Sequence, residues 1–235
     1  FKDTFTRKNP LIFYNNHADF QQTTAIMGQI DVGTGGVTEG MKNRVVLPIT
    51  ESVAQTNHVL GHELVHAFQY HLLINADSTS LQSIQNLPLW MVEGLAEYLS
   101  LGRTDPHTAM WMRDAVLNND IPSIKDLTVN PRYFPYRYGQ AFWAFVTGLY
   151  GDTIIEPLFI QTARFGFDEA LKKLLKVDEK TLSGMWKSSL QTYYTQLPGY
   201  AEKERNIGTK IISDENAGRM NLSPAISPDG KHVVF

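Results

Sequence analysis

The chain has 235 residues, 43% of them hydrophobic, and a formal charge of -3 from 21 basic and 24 acidic side chains. That is apolar material for one sizeable core, and a balanced charge with no Lys/Arg cluster argues against nucleic acid as a partner. Cysteine is absent, which excludes a disulfide framework and thiolate metal sites, and no apolar run approaches the roughly 18 residues of a membrane span.

The start, Phe1-Lys2-Asp3, has neither an initiator Met nor a signal-peptide layout and reads as the beginning of an excised fragment. Leu11-Ile12-Phe13-Tyr14 followed by Asn15-Asn16 suits a buried strand and a turn, with a short helix over residues 18–24. The glycine-rich residues 31–37 lack both the GxGxxG order and the GK[ST] ending of a phosphate loop, so they read as strand and turn. Residues 44–49 are β-branched and apolar, and Pro48 among them suggests an edge strand or a strand end. As an edge it would offer free N–H and C=O groups to an extended peptide, alone or with the adjoining residues 35–42.

Residues 50–74 read as one long helix containing His62-Glu63-Leu64-Val65-His66. Positions four apart are about 400° around a helix, only about 40° off eclipsed, so His62 and His66 share a face and can hold one zinc ion. Glu63 lies on the rim of that face, where a carboxylate can take a proton from zinc-activated water. Val59, Leu60, Leu64, Val65, Phe68 and Leu72 make the rest of the helix amphipathic. The same angular drift carries His58 off the metal face, and His71 is likewise left out of the ligand set.

A polar break at residues 75–80 precedes a second helix that begins near Pro88 and carries Trp90-Met91-Val92-Glu93-Gly94-Leu95-Ala96-Glu97-Tyr98. Two His and one carboxylate leave one of four zinc positions open, so a glutamate from this helix would complete a catalytic set. Glu97, one turn beyond Glu93, is spaced to accept a hydrogen bond from a ligating imidazole. His107 beside Pro106 marks an ordinary helix start, and another helix runs from Tyr136 to about Tyr150. Residues 152–197 are helical in pattern, with Leu182, Met185, Trp186, Leu190 and Tyr193 spaced as core. Beyond Gly208 the character changes to short strands around Asp229-Gly230, a hairpin signal.

HELVH followed by WMVEGLAEY resembles the gluzincin zinc peptidases, notably aminopeptidase N relatives and their bacterial MA-like kin. The resemblance implies zinc ligands His62, His66 and Glu93, with Glu63 as general base. It also implies an α+β zincin, thermolysin-like domain over residues 1–205, with an N-terminal mixed sheet, an active-site helix and a helical C-terminal part. Tyr136-Arg137-Tyr138-Gly139 is similar to the family's YxKG stretch, whose Tyr hydrogen-bonds the oxyanion; the spacing matches Tyr136, with Tyr138 as the alternative. The family's aminopeptidases grip a free amine with the Glu of a GAMEN stretch, and the nearest counterpart here is Gly40-Met41-Lys42-Asn43. Lys42 would repel an ammonium group, so the expectation is internal cleavage of peptide or protein substrates, in an extracytoplasmic setting. SPAISPDGKHVVF, from Ser223, resembles the opening of a TolB-type β-propeller blade, which makes residues 206–235 a linker and the first strands of a truncated propeller. The rival expectation is a zincin-fold binding or assembly module attached to that propeller, with little or no catalysis.

Overall fold

Three apolar residues in a row, Val45, Val46 and Leu47, require cover on both faces of a strand. In the computed structural model, which describes residues 8–75, 81–197, 209, 211–218 and 222–235, they receive it. There β3 (Arg44–Pro48) is the middle strand of a three-stranded mixed sheet, parallel to β1 (Leu11–Tyr14) and antiparallel to β2 (Val37–Glu39). Val45 and Leu47 pack against Val59, Leu60 and Ala67 of α2 (Val53–Asn75). Val46 points the other way, to Phe20 of α1 (His17–Gln21) and to Ile30. The expectation of an edge strand at residues 44–49 is therefore corrected. Pro48 ends the strand, and the ladder continues through the Ile49 N–H, which donates to the Tyr14 carbonyl at 2.8 Å. The edge on this side of the sheet is β2. Its Thr38 pairs with Val45, and paired residues share a face, so Thr38 points towards α2.

The Ser52 hydroxyl accepts the Gln55 N–H at 3.1 Å and starts α2. After a short 3-10 helix at Leu81–Asn86, α3 (Leu89–Leu101) begins behind Pro88 and stops at Gly102, whose φ of 90° suits a residue without a Cβ. Asp105 caps α4 (Pro106–Leu117) and the Ser123/Asp126 capping box opens α5 (Ile124–Val129). The helical part continues with α6 (Pro135–Tyr150), α7 (Ile155–Phe165), α8 (Phe167–Leu174) and α9 (Glu179–Thr195). These elements make the first unit, Phe1–Leu197, an α+β body.

The packing of α3 on α6 is the most extensive between helices, and two glycines make it possible. A Cβ on Gly139 would lie 2.0 Å from the Trp90 carbonyl oxygen, and one on Gly94 would lie 2.3 Å from the Gly139 Cα. The two backbones thus touch directly at this crossing. Around it Trp90 and Trp143 are fully buried, and their indole N–H groups donate at 2.9 Å to the Thr128 hydroxyl and the Met91 carbonyl. On α9, Leu182 and Trp186 are buried while Met185 and Tyr193 are exposed. This corrects the expected apolar stripe: α9 is covered along the side that carries Leu182, Ser183 and Trp186, and Met185, 100° round from Trp186, falls outside the covered arc.

The second unit, Pro198–Phe235, holds α10 (Asp214–Ala217) and an antiparallel hairpin of β4 (Ala225–Ile226) and β5 (Val233–Val234). Its turn places Gly230 at a φ of 69°. Of the polar break expected at residues 75–80, Asn75 still belongs to α2, and the rest, like the boundary expected at residues 205–206, lies outside the described residues. Among the described residues, no helix is long and apolar enough to cross a membrane.

Candidate metal centre

His62 and His66 occupy successive turns of α2 and meet Glu93 of α3. His62 Nε2 lies 3.0 Å from His66 Nε2 and 3.1 Å from Glu93 Oε2, and His66 Nε2 lies 3.3 Å from the same oxygen. Zinc bonds of about 2.0–2.1 Å at tetrahedral angles hold ligand atoms about 3.3–3.4 Å apart, so the triangle is close to the size a zinc ion requires.

The partners behind the rings determine what these atoms offer. Gln69 donates its amide N–H to the Val92 carbonyl at 2.9 Å, which turns its oxygen to His66 Nδ1 at 2.8 Å. His66 Nδ1 must therefore carry the proton, leaving a lone pair on Nε2. His62 Nδ1 faces Glu97 Oε1 at 2.9 Å and is a donor for the same reason. Two imidazole lone pairs and a carboxylate oxygen then converge on one point, an arrangement that calls for a positive charge there. In the bare protein a proton answers that demand: burial would depress the pKa of His62, but the Glu93 and Glu97 carboxylates outweigh it and raise it to about 9. Burial likewise pushes Glu93 up, yet its hydrogen bonds to His62 and His66 prevail and bring it down to about 2.

A second triad, His58, His62 and Glu97, shares one residue with the first. Here both imidazoles address the single oxygen Glu97 Oε1, at 3.0 and 2.9 Å, and the Arg137 guanidinium donates to Oε2 at 2.8 Å. A carboxylate already carrying three donors, one of them a cation, is a poor partner for a metal. This cluster instead fixes the orientation of His62. Against the cost of burial, its His58 and His62 bonds hold Glu97 at a pKa of about 2.

Glu63 stands beside this centre and is positioned by β2. The Thr38 hydroxyl lies 2.6 Å from Glu63 Oε2 and 2.8 Å from the Glu63 carbonyl oxygen. Gly36 gives it room, since a Cβ there would come within 2.8 Å of Glu63 Cγ. From the first turn of α6, Tyr136 stacks on His62, with ring centroids 5.7 Å apart and planes at 16°, and on Phe134. Burial and the Glu93 carboxylate raise its pKa well above the ordinary phenol value, so Tyr136 is a neutral O–H donor at physiological pH. Tyr138 lies elsewhere, packed on Trp111 and Tyr133. Burial drives its hydroxyl up to about 12.

Two cavities meet at the centre and share Gly36, His62, Glu63 and Tyr136. One, of ≈ 240 Å³, extends between α2, α3 and α7; the other, of ≈ 440 Å³, extends along residues 33–36 and His58. Lys42 lines neither. It is exposed in the turn after β2 and pairs with Glu39 at 2.7 Å, and Glu39 is also bonded to Arg44. The expectation that Lys42 opposes an incoming ammonium group is corrected accordingly, because a paired charge outside the cavity lining cannot act as the gatekeeper.

Sequence reasoning passed over Gln69, Thr38, Arg137 and the bond from His58 to Glu97. Gln69 and His58 each sit one helical turn from a candidate ligand and were open to the same periodicity argument. Thr38 depends on strand register and Arg137 on the crossing of α3 and α6, and neither is written in local spacing. Comparisons of the chain with protein-family models, curated proteins and solved structures gave no match.

Proposed function

We propose that this chain is a zinc-dependent hydrolase of peptide bonds, built as a zincin-type domain with β2 as the strand beside its active-site helix. The observation that carries this reading is the convergence of His62 Nε2, His66 Nε2 and Glu93 Oε2 at tetrahedral spacing, with Glu63 and Tyr136 in the same cavity. Held there, zinc would supply Lewis acidity, lowering the pKa of water to about 7 and polarising a carbonyl. Glu63, oriented by Thr38, receives the proton of the attacking water and delivers it to the leaving amine. Tyr136 donates its O–H to the oxygen that becomes negative as the carbonyl is attacked. His58, Glu97 and Arg137 keep His62 in its ligating tautomer.

Equilibrium dialysis against zinc, followed by incubation with peptides, tests the proposal. One tightly held zinc per chain and cleavage that a chelator abolishes are expected. Stoichiometric zinc without cleavage of any peptide would point to a binding module instead.

Internal cleavage is favoured because space lies on both sides of the centre and, among the described residues, the neighbouring carboxylates other than the proposed base Glu63 are held by cations or by several donors. Glu93 is engaged by the two histidines and Glu97 by three donors, while Glu39 lies outside both cavities and is paired with Arg44 and Lys42. An ammonium group gripped by a carboxylate would favour free-amine substrates by roughly 1.5–3 kcal/mol, or about 10- to 150-fold. Initial rates on an N-acetylated peptide and its free-amine twin should instead be equal, or faster for the blocked one. A large advantage for the free amine would overturn endopeptidase action.

A further inference from the structure

We propose that the groove between α4, α6 and α9 is a second binding site, for a medium-chain fatty acid whose carboxylate lies at Arg103. It shares no residue with the two cavities of the metal centre and is independent of the peptidase reading. Small side chains line it on all three helices, Ala109, Ala144 and Ser189, where larger ones would close the gap, and a space of ≈ 610 Å³ is left. Small-molecule sites have about this size, roughly 300–1,000 Å³. Met112, Phe145 and Tyr194 supply the apolar wall, and Met112 and Tyr194 are buried. The groove continues past Phe145 and Tyr193 to Leu149 and Met185, so the exposed tyrosine and methionine of α9 lie along one apolar track.

Charge selects the ligand. Among the described residues, Arg103 and Asp105 are the only charged side chains lining the groove, and neither reaches its continuation. Asp105 is spent, since it accepts the Thr108 N–H at 2.8 Å and lies 3.5 Å from the Arg137 guanidinium. Arg103 is not. Its guanidinium makes one hydrogen bond among the described residues, from Nη2 to Asp152 at 3.2 Å, and its side chain stays 46% exposed, so its other N–H groups can take a carboxylate. Asp105 and Asp152 close by disfavour a doubly charged head such as a phosphate monoester. The lining helices spend their backbone N–H and C=O groups internally. A peptide laid along them would find no partners for its own backbone, whereas a hydrocarbon chain has none to satisfy.

Calorimetric titration of the full chain with hexanoate, octanoate and decanoate tests this. Affinity should rise about two- to fourfold for each CH₂ buried. Decanol, equal in length but uncharged, should bind about tenfold more weakly than decanoate, the scale of a hydrogen bond to a charged group. Arg103→Gln should bring decanoate down to the level of decanol. Ala109→Phe, which fills the groove from an exposed position of α4, should weaken both ligands about tenfold or more, with an unchanged Tm showing that the fold is kept. Affinity that ignores chain length would overturn the site. So would binding that neither substitution alters, the behaviour of a carboxylate held at the metal centre instead. Tighter binding of N-acetyl-trileucine than of decanoate would overturn the fatty acid in favour of a peptide C-terminus.

Discussion

Replacing Glu63 with Gln is expected to leave one zinc per chain in place while lowering peptide hydrolysis by about 10²- to 10⁴-fold, the usual contribution of a general acid–base group. The shapes are the same, and the amide oxygen can still accept from Thr38, so the change isolates proton transfer from architecture. His62→Ala is expected to do the opposite, removing the metal by deleting one corner of the ligand triangle while the helix around it stays folded. Chelator competition measures the metal and initial rates measure turnover. An unaltered rate in Glu63→Gln would move the base to another residue, and full zinc occupancy in His62→Ala would refute the ligand set.

Gly139→Ala is expected to destabilise the first unit by about 3 kcal/mol or more, at the upper end of overpacking costs. The new methyl group would meet the Trp90 carbonyl and the Gly94 Cα, which are backbone atoms with no rotamer to turn away. For a unit of this size that corresponds to a fall in Tm of roughly 10 °C, readable by calorimetry. Gly184→Ala on α9 is the control. Nothing lies within 4 Å of a Cβ at that position, so Ala should raise stability by about 0.4–1 kcal/mol through the unfolded state. Equal melting temperatures for the two variants would mean that the helices separate at no cost, and that the crossing does not depend on glycine.

The sequence makes the helical elements readable because their signals are local: the 3.6-residue period, Pro at the first turn of α4 and α6, and Gly just beyond α3. Within the centre, the approach of Glu97 to His62 follows from spacing along two helices. Two of the sequence readings that the structure corrects failed for reasons of pairing and cover. Pro48 suggested an edge, whereas the three consecutive apolar residues before it carried the better information, since only a strand covered on both faces buries all of them. Lys42 was read as a free charge, but its partner Glu39 is held by Arg44 across the β2–β3 turn, a relation that exists only once the hairpin closes. Gly94 stood in plain view within the EGLAEY stretch, yet its reason lies 45 residues away at Gly139, where the second helix comes to rest on it.

The hydroxyl of Thr38 has a single hydrogen and two lone pairs, yet it lies within bonding reach of both the Glu63 carboxylate and the Glu63 carbonyl. With the carboxylate ionised, that hydrogen points at Oε2. Once Glu63 carries a proton, the direction reverses: the acid donates to the Thr38 oxygen, and the hydroxyl swings to the peptide carbonyl. One rotation about a C–O bond therefore satisfies both protonation states without displacing a heavy atom. Valine, which copies the outline of threonine, would leave a rigid methyl group at that point, and each uptake and release of the proton would lose its companion hydrogen bond.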